Sequence, residues 1–159
     1  MEILLDELSA SLPDAREAVR VVVRLLAALL AGGVIGLQRE VSGKAAGLRT
    51  HILVCGGTAL FVLAAINSGM QQDALSRVIQ GLATGIGFLG AGAILKVESS
   101  HQIKGLTTAA GIWMTAALGV TIGVGQLGTA AIGTVLAWFV LAILIKLDKR
   151  LDASDPNRA

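Results

Sequence analysis

The fold is decided by residues 106–124, LTTAAGIWMTAALGVTIGV, a stretch without a single charged residue. A helix needs about 20 consecutive apolar residues to cross the ~30 Å hydrocarbon layer of a bilayer, and this stretch has that length. Small residues recur in it at every fourth position, at Thr107, Gly111, Thr115, Gly119 and Gly123. The stretch therefore predicts a transmembrane helix with one narrow face that is almost free of side chains.

Further apolar runs of similar length occur elsewhere in the chain, at residues 19–37, 50–67, 78–95 and 129–145. The connectors between the runs are short, and an open sheet would leave backbone groups unsatisfied in lipid. The sequence thus predicts an all-α, polytopic membrane bundle of five transmembrane helices over residues 19–145. An N-terminal amphipathic segment or tail (residues 1–18) precedes this domain, and a short cytoplasmic tail (residues 146–159) follows it.

The composition excludes several classes of protein. The chain has 159 residues, of which 54% are hydrophobic and 15% charged, and its mean hydropathy of +0.75 is not that of a soluble domain. Cys55 is the only cysteine, so an intrachain disulfide is excluded. The formal charge of +2 arises from basic residues at the ends of the apolar runs. We therefore expect contact with the lipid bilayer and no binding of nucleic acid.

The positions of lysine and arginine predict the orientation in the membrane. With the N-terminus outside, nine of the 13 basic residues fall in the inner segments and four in the outer ones. Because basic residues are enriched on the cytoplasmic side, we expect the N-terminus outside and the C-terminus in the cytoplasm. Arg20 and Arg24 lie near the start of the first run, where we expect their side chains to snorkel to the interface.

Small residues form stripes on several of the predicted spans. The stripe residues are Gly32, Gly36, Gly81, Gly85, Gly87, Gly90, Gly92, Gly111, Thr115 and Gly119. Such stripes let helix backbones approach closely in lipid, so we expect them to pack helices within the bundle or against a second copy. A pathway along these faces is the alternative. Residues 85–90 also read G-x-G-x-x-G, but this motif predicts a nucleotide site only between a strand and a helix.

The sequence predicts no catalytic residue, no cofactor and no metal site. Its two histidines, His51 and His101, belong to no metalloprotease motif, and the chain has no C-x-x-C or Walker sequence. No acidic residue lies well inside a predicted span. Since ion pathways usually contain intramembrane charges, this pattern disfavours cation transport without excluding it.

Two polar loops on the predicted inner side carry the candidate binding residues, namely Arg39, Glu40, Gly47, Arg49, Thr50, His51, Lys104, Thr107 and Thr108. In the first loop, cations precede the start of a helix, whose N–H groups can hold an anion or the carboxylate of a partner. In the second loop, threonines follow Lys104 and can cap the fourth span. A role in topology alone is the alternative for the basic residues. On the outer side, Asp73 and Arg77 are four residues apart and can form a weak surface pair.

Four motifs follow one another along the chain: GGVIGLQRE at residues 32–40, AGLRTH at 46–51, GIGFLGAG at 85–92, and KGLTTAA at 104–110. In this order they resemble the MgtC/SapB family of bacterial inner-membrane proteins, over about residues 20–145. The resemblance implies a five-helix membrane domain in the bacterial inner membrane. The chain departs from the family at Gln38, where members commonly have Glu, and at Lys104, where they usually have Arg. Some members carry a C-terminal ACT-type domain, which we do not expect in the short tail at residues 146–159.

The resemblance also implies a role in magnesium homeostasis, acid stress or virulence, through regulation of a membrane partner such as ATP synthase or a transporter. Our leading hypothesis is a non-enzymatic protein that associates with another membrane protein or with itself and presents a basic cytoplasmic face. The alternative is a transporter or channel for magnesium or another ion, lined by residues 85–92 and 107–115. A third hypothesis is an enzyme or phosphate-binding receptor that uses Arg39, Arg49, Thr50 and His51.

Overall fold

The computed structural model describes Met1, residues 14–97 and residues 102–153. Its helices are α1 Ala15–Val41, α2 Leu48–Asn67, α3 Gln72–Gly92, α4 Leu106–Gly123 and α5 Leu127–Ala153. The first four are long and apolar enough to cross a membrane, and α5 contains the apolar stretch Leu127–Ile143. The predicted fold class, an all-α bundle of five membrane helices, is confirmed.

Helix α1 begins four residues before the predicted span because Asp14 caps it. The carboxylate of Asp14 accepts a hydrogen bond from the backbone N–H of Glu17 at 2.7 Å. This bond satisfies one of the N–H groups that have no partner within the helix. Residues 15–18 are therefore part of the first helix. The remainder of the predicted amphipathic segment, residues 2–13, lies outside the described part of the chain.

A small β-hairpin occupies the connector between α3 and α4, which the sequence analysis described only as a loop. Strands β1 (Leu95–Val97) and β2 (Gln102–Lys104) pair antiparallel, with Leu95 opposite Lys104. Gly105 then turns the chain into α4 with a φ of +95°, which favours glycine. A Cβ at Gly105 would also overlap the carbonyl oxygen of Ala93. The hairpin marks one end of the bundle, which we call the hairpin end.

Helix α2 lies at the centre of the bundle and packs against both α1 and α4. The largest core cluster joins four helices and contains Ala28, Ile35, Cys55, Ala59, Leu118, Ile122, Ala130 and Ala137. None of these residues comes from α3. A second, smaller cluster holds α3 through Ile86, which packs with Ala46, Ile112 and Ala116. The core therefore consists of α1, α2, α4 and α5, and α3 lies at its side.

Glycine stripes on α1 and α4 allow both helices to approach α2 closely. A Cβ at Gly36 would lie 2.8 Å from the Cα of Leu48, and one at Gly32 would lie 2.9 Å from the Cβ of Cys55. On α4, a Cβ at Gly119 would overlap the Thr58 hydroxyl and the Cys55 carbonyl oxygen. These positions thus have room for hydrogen only, and the stripes of α1 and α4 both face α2.

The glycines of α3 have a different environment. A Cβ at Gly81, Gly85, Gly87 or Gly92 would meet no atom within 4 Å, and only Gly90 has a neighbour, the Cβ of Ala109 at 3.6 Å. Ile86 and Gly90 are the buried residues of this helix. Gly81, Gly85 and Gly92 form a small-residue face of α3 that is open and does not pack against the described residues, and Gly87 is open on another side of the helix.

Candidate functional site

Arg39 is the most unusual side chain of the hairpin end. It lies in the last turn of α1 and is 0% exposed, although its position beside a loop suggested an accessible charge. Its Nη2 atom donates to the hydroxyl oxygen of Thr107 at 3.4 Å, close to the limit for a hydrogen bond. Its Nε and Nη1 atoms are buried and have no hydrogen-bond partner among the described residues. The interior of the bundle thus contains a guanidinium group with little compensation.

His51 lies one helix away and is also fully buried. Its Nδ1 atom is 2.7 Å from the hydroxyl oxygen of Thr115, which itself donates to the carbonyl oxygen of Gly111 at 2.8 Å. Because the threonine proton is used in that bond, Nδ1 carries the hydrogen and donates to Thr115. The other ring nitrogen, Nε2, is buried and has no hydrogen-bond partner in the described structure.

These side chains meet on one face of α4. Thr107, Gly111 and Thr115 are four residues apart, so they lie above one another on the helix surface. A Cβ at Gly111 would lie 3.5 Å from the Cε1 atom of His51, so the glycine makes space for the imidazole ring. We call the buried side chains of Arg39, His51 and Thr115, together with the exposed Thr107 that Arg39 contacts, the buried polar cluster. The sequence predicts Arg39, His51 and Thr107 on a cytoplasmic binding face, and it predicts helix packing or a pathway for Thr115.

Gln38 connects α1 to α5 beside this cluster. Its amide nitrogen donates to the carbonyl oxygen of Leu141 at 2.8 Å and to the hydroxyl of Ser42 at 3.1 Å. Its Oε1 atom is buried and accepts no hydrogen bond from the described residues. The structure therefore gives the amide at this family-variant position a role that a carboxylate cannot fill, since only the amide donates.

Glu40 and Gly47 form the start of α2. The Oε2 atom of Glu40 accepts a hydrogen bond from the backbone N–H of Leu48 at 2.9 Å. A Cβ at Gly47 would overlap this carboxylate, so glycine is needed beside it. Glu40 thus serves as a side-chain cap from the preceding helix, and its charge suits the positive end of α2.

The other predicted inner-face residues differ in burial. Arg49, Thr50 and Lys104 are exposed at the hairpin end, whereas Thr108 is buried. The expectation that threonines cap α4 is wrong, because its N-cap is Gly105 and the helix has no side-chain cap. Thr107 and Thr108 instead lie in the first turn, since the left-handed Gly105 already directs the chain into the helix. Only part of the predicted face is thus a basic surface.

The opposite end of the bundle contains a contact that the sequence analysis missed. Arg24 donates from Nη1 to the carbonyl oxygen of Gly123 at 2.8 Å and so joins α1 to the end of α4. The expected snorkelling of Arg24 is therefore replaced by a bond to a helix C-terminus, where a cation is favourable. Asp73 and Arg77 are both exposed near the start of α3, and their pairing stays a prediction.

The buried groups are unsuited to holding a cation. The buried polar residues are Arg39, His51, Thr58, Thr108, Thr115 and Thr134, and none is acidic. The described residues contain no group of three or more His, Cys, Asp or Glu side chains that can hold a metal ion. Cationic Arg39 and the hydroxyl groups near it favour an anion instead.

An open groove lies away from the buried polar cluster, between α2 and α3. It has a volume of about 660 Å³ and an apolar lining that includes Leu53, Phe61, Gly81, Gly85 and Leu89. Its open side faces the surroundings of the bundle. An apolar groove of this kind accommodates lipid or another helix, and its polar side chain, Thr58, already bonds carbonyl oxygens of its own helix.

Comparisons with known proteins connect this architecture to a family. The model of the MgtC family matches residues 25–150. Protein SrpB of Synechococcus elongatus is 46% identical over 137 residues, which are 79% of this chain and 75% of SrpB. The Escherichia coli K12 protein named putative magnesium transporter YhiD is 41% identical over 139 residues, 82% of this chain and 63% of YhiD. Protein MgtC of Salmonella typhimurium is 36% identical over 131 residues, 82% of this chain and 55% of MgtC.

No solved structure matches this chain. The chain spans between 55% and 75% of the length of the three relatives. Their names and the family description indicate no enzymatic activity.

Proposed function

The chain belongs to the MgtC family of membrane proteins, and from this premise we propose that it acts without catalysis, by associating with a partner in the bilayer through α3. The partner is another membrane protein or a second copy of the chain, and the association regulates the activity of that partner. We place this role in the bacterial inner membrane, in adaptation to low magnesium or acid stress, with the N-terminus outside. ATP synthase or a transporter is the kind of partner that the family suggests.

The open face of α3 is the observation that carries this proposal. Gly81, Gly85, Gly87 and Gly92 have space in front of them, whereas the glycines of α1 and α4 face α2. Small residues on a lipid-facing helix allow a second helix to approach its backbone closely. Phe88 lies on the same helix and is 82% exposed, which provides a large apolar contact beside the small residues.

The glycines of α4 do not fit this role. Gly111 and Gly119 are buried against α2, so replacing them by leucine would disrupt the bundle itself. A loss of association after such a change would therefore report unfolding. The α3 glycines are the positions at which association can be tested separately from folding.

Magnesium transport by this chain alone is the alternative, and the name of YhiD supports it for that protein. A magnesium ion crossing the bundle needs oxygen ligands, most often carboxylates. Among the described residues, the fully buried charged group is the guanidinium of Arg39, which repels a divalent cation. This arrangement favours the regulatory role over the transporter.

Site-specific photo-crosslinking in cell membranes tests the proposal. The photoreactive residue benzoylphenylalanine replaces Phe88 on α3 or, as a matched control, Phe139 on α5. Both side chains are aromatic and exposed, at 82% and 53%. We expect a defined covalent adduct from position 88 and none from position 139, and mass spectrometry of the adduct distinguishes a second copy from another protein.

The variant Gly85→Leu provides the second control. Leucine has room at this position, so the protein should remain folded while the added side chain blocks close helix approach. The adduct from position 88 should then disappear, together with any growth advantage in low magnesium. Equal adducts from positions 88 and 139, or an adduct that survives Gly85→Leu, would contradict association through α3.

A further inference from the structure

We propose that Arg39 and the first turn of α4 form a binding site for an oxyanion of the phosphate class at the hairpin end. The ligand is either free phosphate or the phosphate of an anionic lipid headgroup. This site is separate from the open face of α3 and does not depend on the association proposed there.

The charge of Arg39 is the first reason. An arginine guanidinium stays protonated in proteins and has five N–H donors. Arg39 is completely buried, and the contact from Nη2 to Thr107 is long at 3.4 Å. Its Nε and Nη1 atoms are the parts of the guanidinium that lack an acceptor in the described structure. Burial of an uncompensated charge is strongly unfavourable, so the site needs an anionic acceptor.

The start of α4 is the second reason. The first N–H groups of a helix have no partner within it, and α4 has no side-chain cap. These groups and the helix dipole make the N-terminus favourable for phosphate. Thr107 lies in this first turn and is contacted by Arg39, so the guanidinium and the helix N-terminus converge on one position.

Access to this position comes from the surface of the hairpin end. Thr107 is exposed although Arg39 is buried beside it, and Lys104 is exposed just before the helix. An anion at the surface here contacts the lysine, the threonine hydroxyl and the helix N-terminus. Because Nε and Nη1 of Arg39 are buried, the guanidinium or its neighbours must shift for these two donors to reach the anion. Arginine matches the geometry of phosphate oxygens with paired N–H donors.

The described carboxylates are placed elsewhere. Glu40 accepts from the backbone of Leu48, while Asp14, Glu17 and Asp73 lie at the opposite end of the bundle. Glu98, Asp148, Asp152 and Asp155 have side chains outside the described part of the structure. A carboxylate from one of these residues is the rival acceptor, and the experiment tests Glu98 and Asp148.

The test measures thermal unfolding of the full chain, purified in maltoside micelles, by tryptophan fluorescence. One series adds inorganic phosphate, and the other adds phosphatidylglycerol in phosphate-free buffer. A ligand that binds the folded state raises the unfolding midpoint by mass action. We expect the midpoint of the wild type to rise with at least one of them. A rise with phosphate alone identifies free anion, and a rise with the lipid alone identifies the headgroup.

Two variants at the site and one control assign the effect. Arg39→Gln should abolish the rise, and Thr107→Val, which removes only the exposed hydroxyl, should weaken apparent affinity about tenfold. Arg49→Gln removes an exposed cation at the same end and should leave the rise unchanged. If Arg39→Gln fails to fold, Thr107→Val still decides, because it leaves the guanidinium in place.

Several outcomes would overturn the proposal. One is a folded wild type whose midpoint responds to neither phosphate nor phosphatidylglycerol. Another is a response that Arg39→Gln and Thr107→Val both retain. A third is a wild type without response in which Glu98→Gln or Asp148→Asn lowers the midpoint, because a carboxylate of the chain would then neutralise Arg39.

Discussion

At the scale of single residues, the buried polar cluster shows that the sequence position of a basic residue does not determine whether its side chain is exposed or buried. Basic residues at a helix end usually flank a span at the membrane interface, and Arg49 and Lys104 do lie at the surface. Arg39 lies in the same sequence region, but its side chain is directed into the bundle towards α4. Arg39 of the motif LQRE thus contacts α4 inside the bundle, a location that its charge alone did not predict.

The hydrogen bonds of Thr115 offer a test of the cluster. Thr115→Val keeps the shape of the side chain and removes the acceptor of His51 Nδ1, leaving a second ring nitrogen without a partner. We expect the free energy of unfolding in micelles to fall by about 1–3 kcal/mol, the cost of a buried unsatisfied group.

Thr121→Val is the matched control, because its hydroxyl bonds only the carbonyl oxygen of Ala117 within α4. It should change the free energy of unfolding by about 0.5 kcal/mol or less, as substitutions away from buried networks do. Equal losses for the two variants, measured by denaturant titration, would mean that the bond to His51 contributes nothing specific.

At the scale of helices, glycine stripes with the same spacing have two different environments. Gly32 and Gly36 of α1 and Gly119 and Gly123 of α4 face α2 at distances that admit no Cβ, whereas the face of α3 is open. Spacing of small residues predicts close approach to some helix, but it does not identify which one. The difference arises because the residues that α3 buries, Ile86 and Gly90, lie on a different side of the helix from Gly81 and Gly85.

A pair of alanine substitutions tests this difference. Gly119→Ala should lower the free energy of unfolding by about 1–3 kcal/mol or more, because the added methyl overlaps backbone and hydroxyl atoms of α2. Gly85→Ala should leave stability unchanged or raise it by up to about 1 kcal/mol through helix propensity. Both values come from the same unfolding titration. A destabilising Gly85→Ala would show that α3 packs more closely than its open face indicates.

The number of helices was predictable from the sequence, whereas the hairpin, the start of α1 and the role of Gly105 were not, for physical reasons. Five apolar runs predicted five helices, and four ordered motifs identified the family. The hairpin was missed because strands of three residues have no period to detect. The start of α1 at Ala15 depended on the Asp14 cap, and the role of Gly105 depended on Ala93, a neighbour that only the folded chain supplies.

At the scale of the whole molecule, two polar contacts join α1 to other helices at its two ends. Arg24 bonds the end of α4 at one end of the bundle, and Gln38 bonds α5 at the hairpin end. The described interior contains threonines, glycines, His51 and the guanidinium of Arg39, with no described carboxylate. Such a bundle is suited to holding a shape and presenting surfaces, and it provides no obvious ligands for a divalent cation.

Magnesium flux into proteoliposomes that contain only this purified protein tests that conclusion most directly. A magnesium-sensitive dye inside the vesicles reports entry, an ionophore confirms the signal, and the double variant Arg49→Gln, Gly87→Leu serves as the matched protein control. We expect the folded, correctly inserted protein to give no flux above that of protein-free vesicles. Saturable magnesium entry that the double variant abolishes would contradict this and make the chain a transporter.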